Sequence, residues 1–514
     1  MIRAMLIPDP PRVSYWEASP ILRDLCRRKL DPTLEPRLIA MGERAAMEVA
    51  PLAQIADRES PRLVTHDARG ERINRVEYHP SYREMERIAY GSGMIAVNYA
   101  PTGEGATGEG ATGEGACRTR TFGFALGYLF AMAEMGLYCP LCMTDGVARV
   151  LTRHGTPDQI ARVVPHLTST DRATLWTGGM FLTERAGGSD VGANETVARK
   201  ADDGTWRLSG HKWFCSNVDA EAVLVTARPD GAPEGTRGLR TFLLLQRDNP
   251  GVTIERLKDK LGVRSMPTGE VTLRDAPAEE VGGFNAIADM LNLSRLYNAV
   301  ASVAVIGRAI HEARWYAERR QAFGRPILEW PLALETMMDL EAEHAGALLL
   351  TFETIDAMER ADAGDADAAR MLRILTPVTK AVTGKLAVPC VSEAMELIGG
   401  NGYIEDSPLP RLLRDAQVLP IWEGTTNILV LDTLRTANKE AAHELLLTRI
   451  RTKFPAEADA LANRFANLDE REVRGWVDGL ARMLELTLLE ENGYGEHVDR
   501  LRGRPLGMLP GAKA

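Results

Sequence analysis

Between residues 175 and 282 the apolar spacing of this chain changes from a helical period to short β-type runs, and after 283 it changes back. That double switch limits the folds open to it. Ala222-Val-Leu-Val-Thr-Ala, Leu239-Arg-Thr-Phe-Leu-Leu-Leu and Val252-Thr-Ile-Glu are separated by Gly, Pro, Asp and Asn, the pattern of strands broken by turns. Beyond them, Leu334, Met338, Ala342, Ala345, Leu349, Phe352 and Ile355 recur at three and four residues, as one face of a long helix requires. The segments 286–319 and 366–398 are also helix-rich, with Pro377 and Pro389 placed to kink or break the second. Several long amphipathic helices in series predict a bundle. Residues 1–174 read as mostly helical, with Leu126, Leu129, Phe130 and Ala133 in one period and Ile160 and Val164 in another. The expected fold is α+β: an N-terminal helical domain (1–174), a central β domain (175–282), a C-terminal helical bundle (283–438) and a helical tail (439–514).

A chain of 514 residues can bury several cores, and ordinary apolar content makes it globular. The net charge of −10 gives no general attraction for nucleic acid. The longest apolar run, Phe122 to Met132, is too short to span a bilayer. Pro8, Asp9 and Pro10 come too early for a signal peptide, which with six scattered cysteines points to a reducing cytoplasm. Cys139 and Cys142 form a lone C-x-x-C with no second pair, so core packing is favoured over a metal or redox role, and no metal site is expected. Thr-Gly-Glu-Gly-Ala stands three times in tandem at 102–116. It is too rich in Gly and Glu to build a core and reads as an exposed loop.

Five segments carry the chemistry. In Met180-Phe-Leu-Thr-Glu-Arg-Ala-Gly-Gly-Ser-Asp190, paired glycines let backbone N–H groups approach a flavin or phosphate, although taken alone the segment is better explained as a surface turn. His211-Lys-Trp-Phe-Cys-Ser-Asn217 places an aromatic two residues before a hydroxyl, a spacing that suits ring stacking plus a hydrogen bond, or simply a strand with a buried Phe. Arg319-Arg-Gln-Ala-Phe-Gly-Arg-Pro326 offers guanidinium to a pyrophosphate, or caps a helix stopped by Gly324. Glu396-Leu-Ile-Gly-Gly-Asn-Gly-Tyr403 is a Gly-rich helix exit. In Ile421-Trp-Glu-Gly-Thr-Thr-Asn-Ile428 a single carboxylate sits between an aromatic and a glycine; partial desolvation would make it a usable general base, and a surface Glu at a helix end stopped by Gly424 is the other reading. No G-x-G-x-x-G or P-loop follows a strand, which excludes a Rossmann reading.

Taken in order, these segments resemble the acyl-CoA dehydrogenase superfamily over roughly residues 40–440. Thr-Glu-x-x-Gly-Gly-Ser-Asp-Val, His-Lys-Trp-Phe and Leu257-Lys-Asp-Lys-Leu-Gly-x-Arg-Ser265 are similar to its AidB-like branch, the adaptive-response, isovaleryl-CoA-dehydrogenase-like proteins. So are Asp67-Ala-Arg-Gly, Tyr78-His-Pro, Leu137-Tyr-Cys-Pro and Ile421-Trp-Glu-Gly. The resemblance implies non-covalent FAD, an acyl-CoA thioester substrate, a homotetramer built as a dimer of dimers and an electron-transfer flavoprotein as acceptor. It implies that Met180, Leu182, Thr183, Gly188, Ser189, Phe214 and Ser216 bind FAD, and that Arg320, Phe323, Gly399 and Gly400 meet the cofactor of the adjacent subunit. Trp422, Thr425 and Asn427 would hold FAD beside the base Glu423, with Ser189, Arg295 and Gly424 touching substrate. Some branches carry the base one residue before an Arg in an earlier bundle helix, but here that position is Ser294, which leaves Glu423 without a rival.

AidB-like proteins are also associated with DNA through a basic C-terminal region. Residues 439–514 hold 12 basic and 13 acidic groups, a net charge of −1, with Arg500, Arg502 and Arg504 as the one tight basic cluster. That balance argues against a DNA role. Three functions remain open on sequence grounds: a dehydrogenase, a DNA-associated protective flavoprotein with weak dehydrogenase activity, and an oxidase of the same fold.

Overall fold

The computed structural model describes residues 13–99, 119–246 and 249–506. The tandem repeat at 102–116 lies outside the described residues, as do Cys117 and the last eight residues. The described chain divides into two compact units, one formed by 49–99, 134–246 and 249–297, the other by 13–48, 119–133 and 298–506. The order along the sequence is helical, then β, then helical, as expected. The units cut across that order, because the first 174 residues contribute to both.

In the first unit the N-terminal region is not all helix. Strands β1 (Arg62–His66) and β2 (Arg72–Glu77) pair antiparallel. The Asp67-Ala-Arg-Gly segment makes their turn: the Asp67 carboxylate accepts from the backbone N–H of Arg69 and Glu71, and Gly70 takes a left-handed φ of 83°. A short Asx turn overrode the helical reading there.

The main sheet has seven strands: β3 (Gly178–Phe181), β4 (Val197–Lys200), β5 (Trp206–Ser216), β6 (Ala222–Pro229), β7 (Arg240–Leu245), β8 (Val252–Leu257) and β9 (Thr268–Gly283). Pairing runs β6–β4–β5–β9–β7 and returns from β7 to β6, so these strands close on themselves, while β3 and β8 extend β6 and β9. Closure removes exposed edges. It also explains why the Ala222 run is apolar on both faces: its first six residues are all buried. Phe181, Leu208, Cys215, Val225, Phe242 and Val271 fill the interior.

The second unit is built on long helices. Phe284–Arg319 begins in the β-bearing unit and continues into this one, followed by Pro331–Asp362, Ala366–Ile398 and Thr426–Glu440. Pro377 and Pro389 neither kink the chain into two helices nor end it, since Ala366–Ile398 is a single element containing both. Each proline forfeits one backbone hydrogen bond, but the surrounding side chains from Ile374 to Leu386 are almost all buried, and that packing holds the helix. The C-terminal helices are integral rather than a loose tail. Trp476 is fully buried and donates to the Leu461 carbonyl, and Arg449 pairs with Glu353 and Glu491. Cys142 and Cys390 are buried, in keeping with core packing. Among the described residues no helix is long and apolar enough to cross a membrane.

One buried charge cluster carries a pH consequence. Arg482 forms two hydrogen bonds to Glu343 and a third to Glu485, all three side chains being almost fully buried. One guanidinium neutralises one carboxylate, so the second is better held as an acid. Burial pushes Glu485 up to about 8 from an ordinary 4.5. Its folded value lies above its unfolded one, so the stability it contributes is complete below about 4.5 and is lost as pH rises through about 8. Glu485→Gln removes this titration. We expect the melting temperature of the parent to fall relative to Glu485→Gln between pH 5 and pH 8.5, measured by thermal denaturation; parallel profiles would contradict the assignment.

Candidate active site

The β-bearing unit brings the first two sequence segments together. The Trp213 backbone N–H donates to the Thr183 carbonyl at 2.8 Å, which lays the 183–189 loop against β5. Below that contact lies an ion pair that sequence reasoning missed. Lys212, fully buried, donates to Glu184 Oε1 at 2.6 Å, to the Thr226 carbonyl at 2.8 Å and to the Leu182 carbonyl at 3.4 Å. Three ammonium protons thus meet three acceptors. Glu184 is filled in turn by the backbone N–H groups of Glu195 and Thr196 and by the Thr196 hydroxyl. Burial opposes its ionisation, but Lys212 and these donors bring its carboxyl below the usual carboxylate range. In the sequence, His-Lys-Trp-Phe and Thr-Glu stand out only as family motifs; a Lys inside a segment that reads as a strand was the available signal.

Around this anchor the candidate cofactor residues take distinct positions. Leu182 is buried, with its carbonyl also accepting from Asn194. Met180 and Thr183 are half-buried, and Gly188 and Ser189 are exposed. A side chain at Gly188 would begin 3.1 Å from the Thr183 hydroxyl, so the two already lie in close contact. Phe214 is 54% exposed although aromatic, while its neighbour Cys215 is fully buried, so β5 presents a bare ring with Ser216 two residues on. The buried-Phe alternative fails on that exposure. Asn217 closes the strand end by donating to the Gly178 carbonyl at 2.9 Å. Arg295 is half-buried and donates to Asn292 at 3.3 Å, whereas Ser294 is buried with its hydroxyl given to the Leu291 carbonyl.

The helical unit holds the remaining candidates. Its long helix ends at Arg319, and the chain turns through a two-residue hairpin in which Gln321–Ala322 pairs with Arg325–Pro326. Phe323 and Gly324 form the tip with φ values of 53° and 88°, the doubly left-handed geometry of a tight hairpin turn. Gly324 therefore turns a hairpin and does not cap the helix. Phe323 is 94% exposed, braced edge-on by Trp330 at 6.0 Å between centroids. Arg320 is half-buried at the root of the hairpin, its carbonyl accepting from Ile327. Gly399 turns the chain out of its helix at φ 75°, and no atom would meet a Cβ at Gly399 or Gly400, so both lie against open space.

The Trp422–Glu423–Gly424 segment is held from behind. Gly384 lets the Leu419 backbone approach to a distance where any Cβ would sit 3.0 Å from its carbonyl oxygen, and Asn298 donates to that carbonyl at 3.2 Å. Lys380, fully buried, donates to the Gly424 carbonyl at 2.6 Å. Glu423 itself has a φ of 58°, a conformation that costs a non-glycine residue about 1–3 kcal/mol and concentrates at functional sites. The Trp422 indole N–H is buried without a partner. Thr425 caps the next helix by backbone position alone, leaving its hydroxyl uncommitted to the cap, and Asn427 is exposed in the first turn. Sequence reading found the carboxylate but not Lys380 or Gly384; Lys380 flanked by Val378, Ala381 and Val382 was the clue.

Comparison with known proteins agrees with this architecture. Residues 8–172 match the AidB N-terminal domain family, 179–276 the acyl-CoA dehydrogenase middle domain, and 282–437 the acyl-CoA dehydrogenase C-terminal domain. Acyl-CoA dehydrogenase family member 11 of Caenorhabditis elegans is 40% identical over 442 residues, covering 82% of this chain and 70% of that protein. AidB of Escherichia coli K12 is 34% identical over 421 residues, covering 79% and 74%. The crystal structure of Caenorhabditis elegans ACDH-11 in complex with C11-CoA superposes with a TM-score of 0.88 at 33% identity over 98% of this chain and 93% of that one. The structure described as Bd2924 apo-form gives the same TM-score and identity over 95% and 100%. An acyl-CoA dehydrogenase from Bacillus anthracis complexed with FAD shares the fold at 18% identity, with a TM-score of 0.73 over 92% of this chain and 85% of that one. The chain belongs to the acyl-CoA dehydrogenase family. Its N-terminal match puts it in the AidB-like branch, and members of the family bind FAD.

Removing Lys212 would strand Glu184 as a buried charge. Breaking a buried pair from one side costs about 3–5 kcal/mol, whereas removing both charges costs much less. Lys212→Met should therefore lower the urea midpoint sharply and Lys212→Met/Glu184→Gln should recover much of the loss. A single variant as stable as the parent would show that the pair does not hold the loop.

Proposed function

We propose that this chain is an FAD-dependent acyl-CoA dehydrogenase in which Glu423 removes the α-proton of an acyl thioester while a hydride leaves the β-carbon. The observation that carries the reading is the Glu423 backbone, held left-handed between an indole with an open N–H and a glycine tied to Lys380. Such a segment holds the backbone at Glu423 in one orientation, and in this reading the Glu423 backbone N–H polarises the thioester carbonyl.

The residues present fit FAD. Phe214 offers a bare aromatic face, the Thr183–Gly188 contact leaves a close-approach loop, and Gly399 and Gly400 stand against open space. When bound, FAD supplies the hydride acceptor that no side chain can provide. In this reading Met180, Leu182, Thr183, Ser189, Phe214 and Ser216 seat the flavin, with Trp422, Thr425 and Asn427 beside the base. Arg320 and the exposed Phe323 reach the cofactor of an adjacent subunit in a dimer of dimers. Ser189, Arg295 and Gly424 contact substrate, and Glu423 holds the proton it receives. The enzyme would work in the cytoplasm with an electron-transfer flavoprotein as acceptor. Turnover of an acyl-CoA panel in air and under anaerobic dye reduction separates this from an oxidase.

Glu423→Gln keeps the shape of the side chain and loses its basicity. We expect purified variant protein to retain yellow FAD while its anaerobic bleaching by acyl-CoA slows on the order of 10²–10⁴-fold. Bleaching at the parent rate would remove Glu423 from the mechanism.

The charge pattern also bears on DNA. Arg500 pairs with Glu335 and Asp339, Arg504 with Asp339, and Arg502 with Glu457, so the basic cluster of the tail is neutralised by the chain's own carboxylates. Duplex binding depends on cations that displace counterions from phosphates. We expect no sub-micromolar duplex binding in a mobility-shift titration at about 0.15 M salt, where screening acts beyond about 8 Å. Tight, salt-sensitive binding abolished by deleting residues 499–514 would overturn this and favour the protective-protein reading.

A further inference from the structure

Cations gather at the proposed flavin platform. The Lys258 ammonium lies 3.6 Å from the centroid of Trp213 and 4.8 Å from that of Phe214. Arg185 lies 4.7 Å from the Trp213 ring, and Arg256 lies 6.0 Å from it. Glu270 is the carboxylate of the group, bound by Arg256 at 2.7 Å and by Lys258 at 2.7 Å. Its burial favours the acid form, but hydrogen bonds and charge from those two partners hold it at about 2, so it is ionised throughout the working range. Three cations against one anion leave a net excess of two positive charges around a tryptophan adjoining the bare Phe214 ring.

Structural roles account for only part of this arrangement. Cation–π contacts are strongest when the cation is desolvated, and the Lys258 side chain is only 11% exposed. Arg185 stands in the same loop as Thr183 and Ser189, so its charge is carried by the segment that would seat the cofactor. A hydride brings two electrons and one proton, so an isoalloxazine that accepts one gains a negative charge. Fixed positive charge nearby favours that reduced form, and the effect is largest where screening by water is weakest.

We propose that Lys258 and Arg185, arrayed on Trp213 beside Phe214, set the reduction potential of the bound flavin upward, with Glu270 as the counterweight. The inference rests on FAD being seated on Phe214. It concerns the equilibrium between oxidised and reduced cofactor, not proton abstraction, and so acts without substrate. Lys258 carries the larger share because it is the more buried and lies against both rings. Arg256 has a side chain 62% exposed and contributes less.

The test is the midpoint potential of purified holoprotein, measured by dye-coupled photoreduction without acyl-CoA. Lys258→Met should make the flavin harder to reduce, changing the reduced-to-oxidised ratio at fixed poise about tenfold, or about 30 mV for a two-electron couple. Arg185→Met should shift it the same way by less. Glu270→Gln, which keeps an acceptor for both cations, should shift it in the opposite direction, and Lys258→Arg should leave it at the parent value. If Lys258→Met fails to hold FAD, Glu270→Gln and Arg185→Met still decide the sign. Potentials indifferent to all of these charges, or a Glu270→Gln shift in the direction of Lys258→Met, would overturn this inference alone. A parent protein that purifies without flavin from riboflavin-rich cells would overturn the cofactor reading beneath it.

Discussion

Lys212 is buried completely in the closed sheet, and an ammonium there survives only if every proton is matched. Its three acceptors belong to three different places: the Glu184 carboxylate, the Leu182 carbonyl at the end of β3 and the Thr226 carbonyl on β6. Meeting that requirement draws the 183–189 loop onto β5 and fixes where Thr183, Gly188 and Phe214 lie. The pair adds little net stability over an apolar core of the same shape, but any departure from its geometry leaves a charge unpaired. Position, more than energy, is what it supplies.

The helical unit uses the same device at its own candidate site. Lys380 in the middle of an apolar helix binds the Gly424 carbonyl, and Gly384 one turn along admits the Leu419 backbone. Together with Asn298 they support a strained segment, Glu423 at φ 58°, that isolated local preferences would not choose. Strain of this kind persists where surrounding packing over-determines the backbone. In both units a buried lysine inside the scaffold orients a segment that carries candidate site residues.

Charge at the surface follows a different logic. The tail arginines are satisfied locally by Glu335, Asp339 and Glu457, which makes them part of the fold. Around Trp213, Arg185, Arg256 and Lys258 gather with Glu270, which binds the last two, and this leaves a local field beside the exposed ring. Composition alone, with twelve basic and thirteen acidic residues in the tail, does not distinguish a neutralised cluster from a functional one.

The sequence by itself determined the order of helical and β segments, because periodicity is written in apolar spacing. It also determined the identity of the short motifs, including the carboxylate of Ile421-Trp-Glu-Gly. The β1–β2 hairpin escaped because a single Asx turn outweighed the surrounding pattern, and Pro377 and Pro389 misled because burial offset the lost hydrogen bonds. Tertiary structure alone decided that Phe214 is bare while Cys215 is buried, that Gly324 turns a hairpin, and that Lys212 and Lys380 are anchors. These depend on which distant residues a side chain meets: Lys212 lies 28 residues from Glu184 and Lys380 lies 44 from Gly424. Spacing along a chain records local conformation, whereas a buried lysine is defined by acceptors that only folding brings within reach.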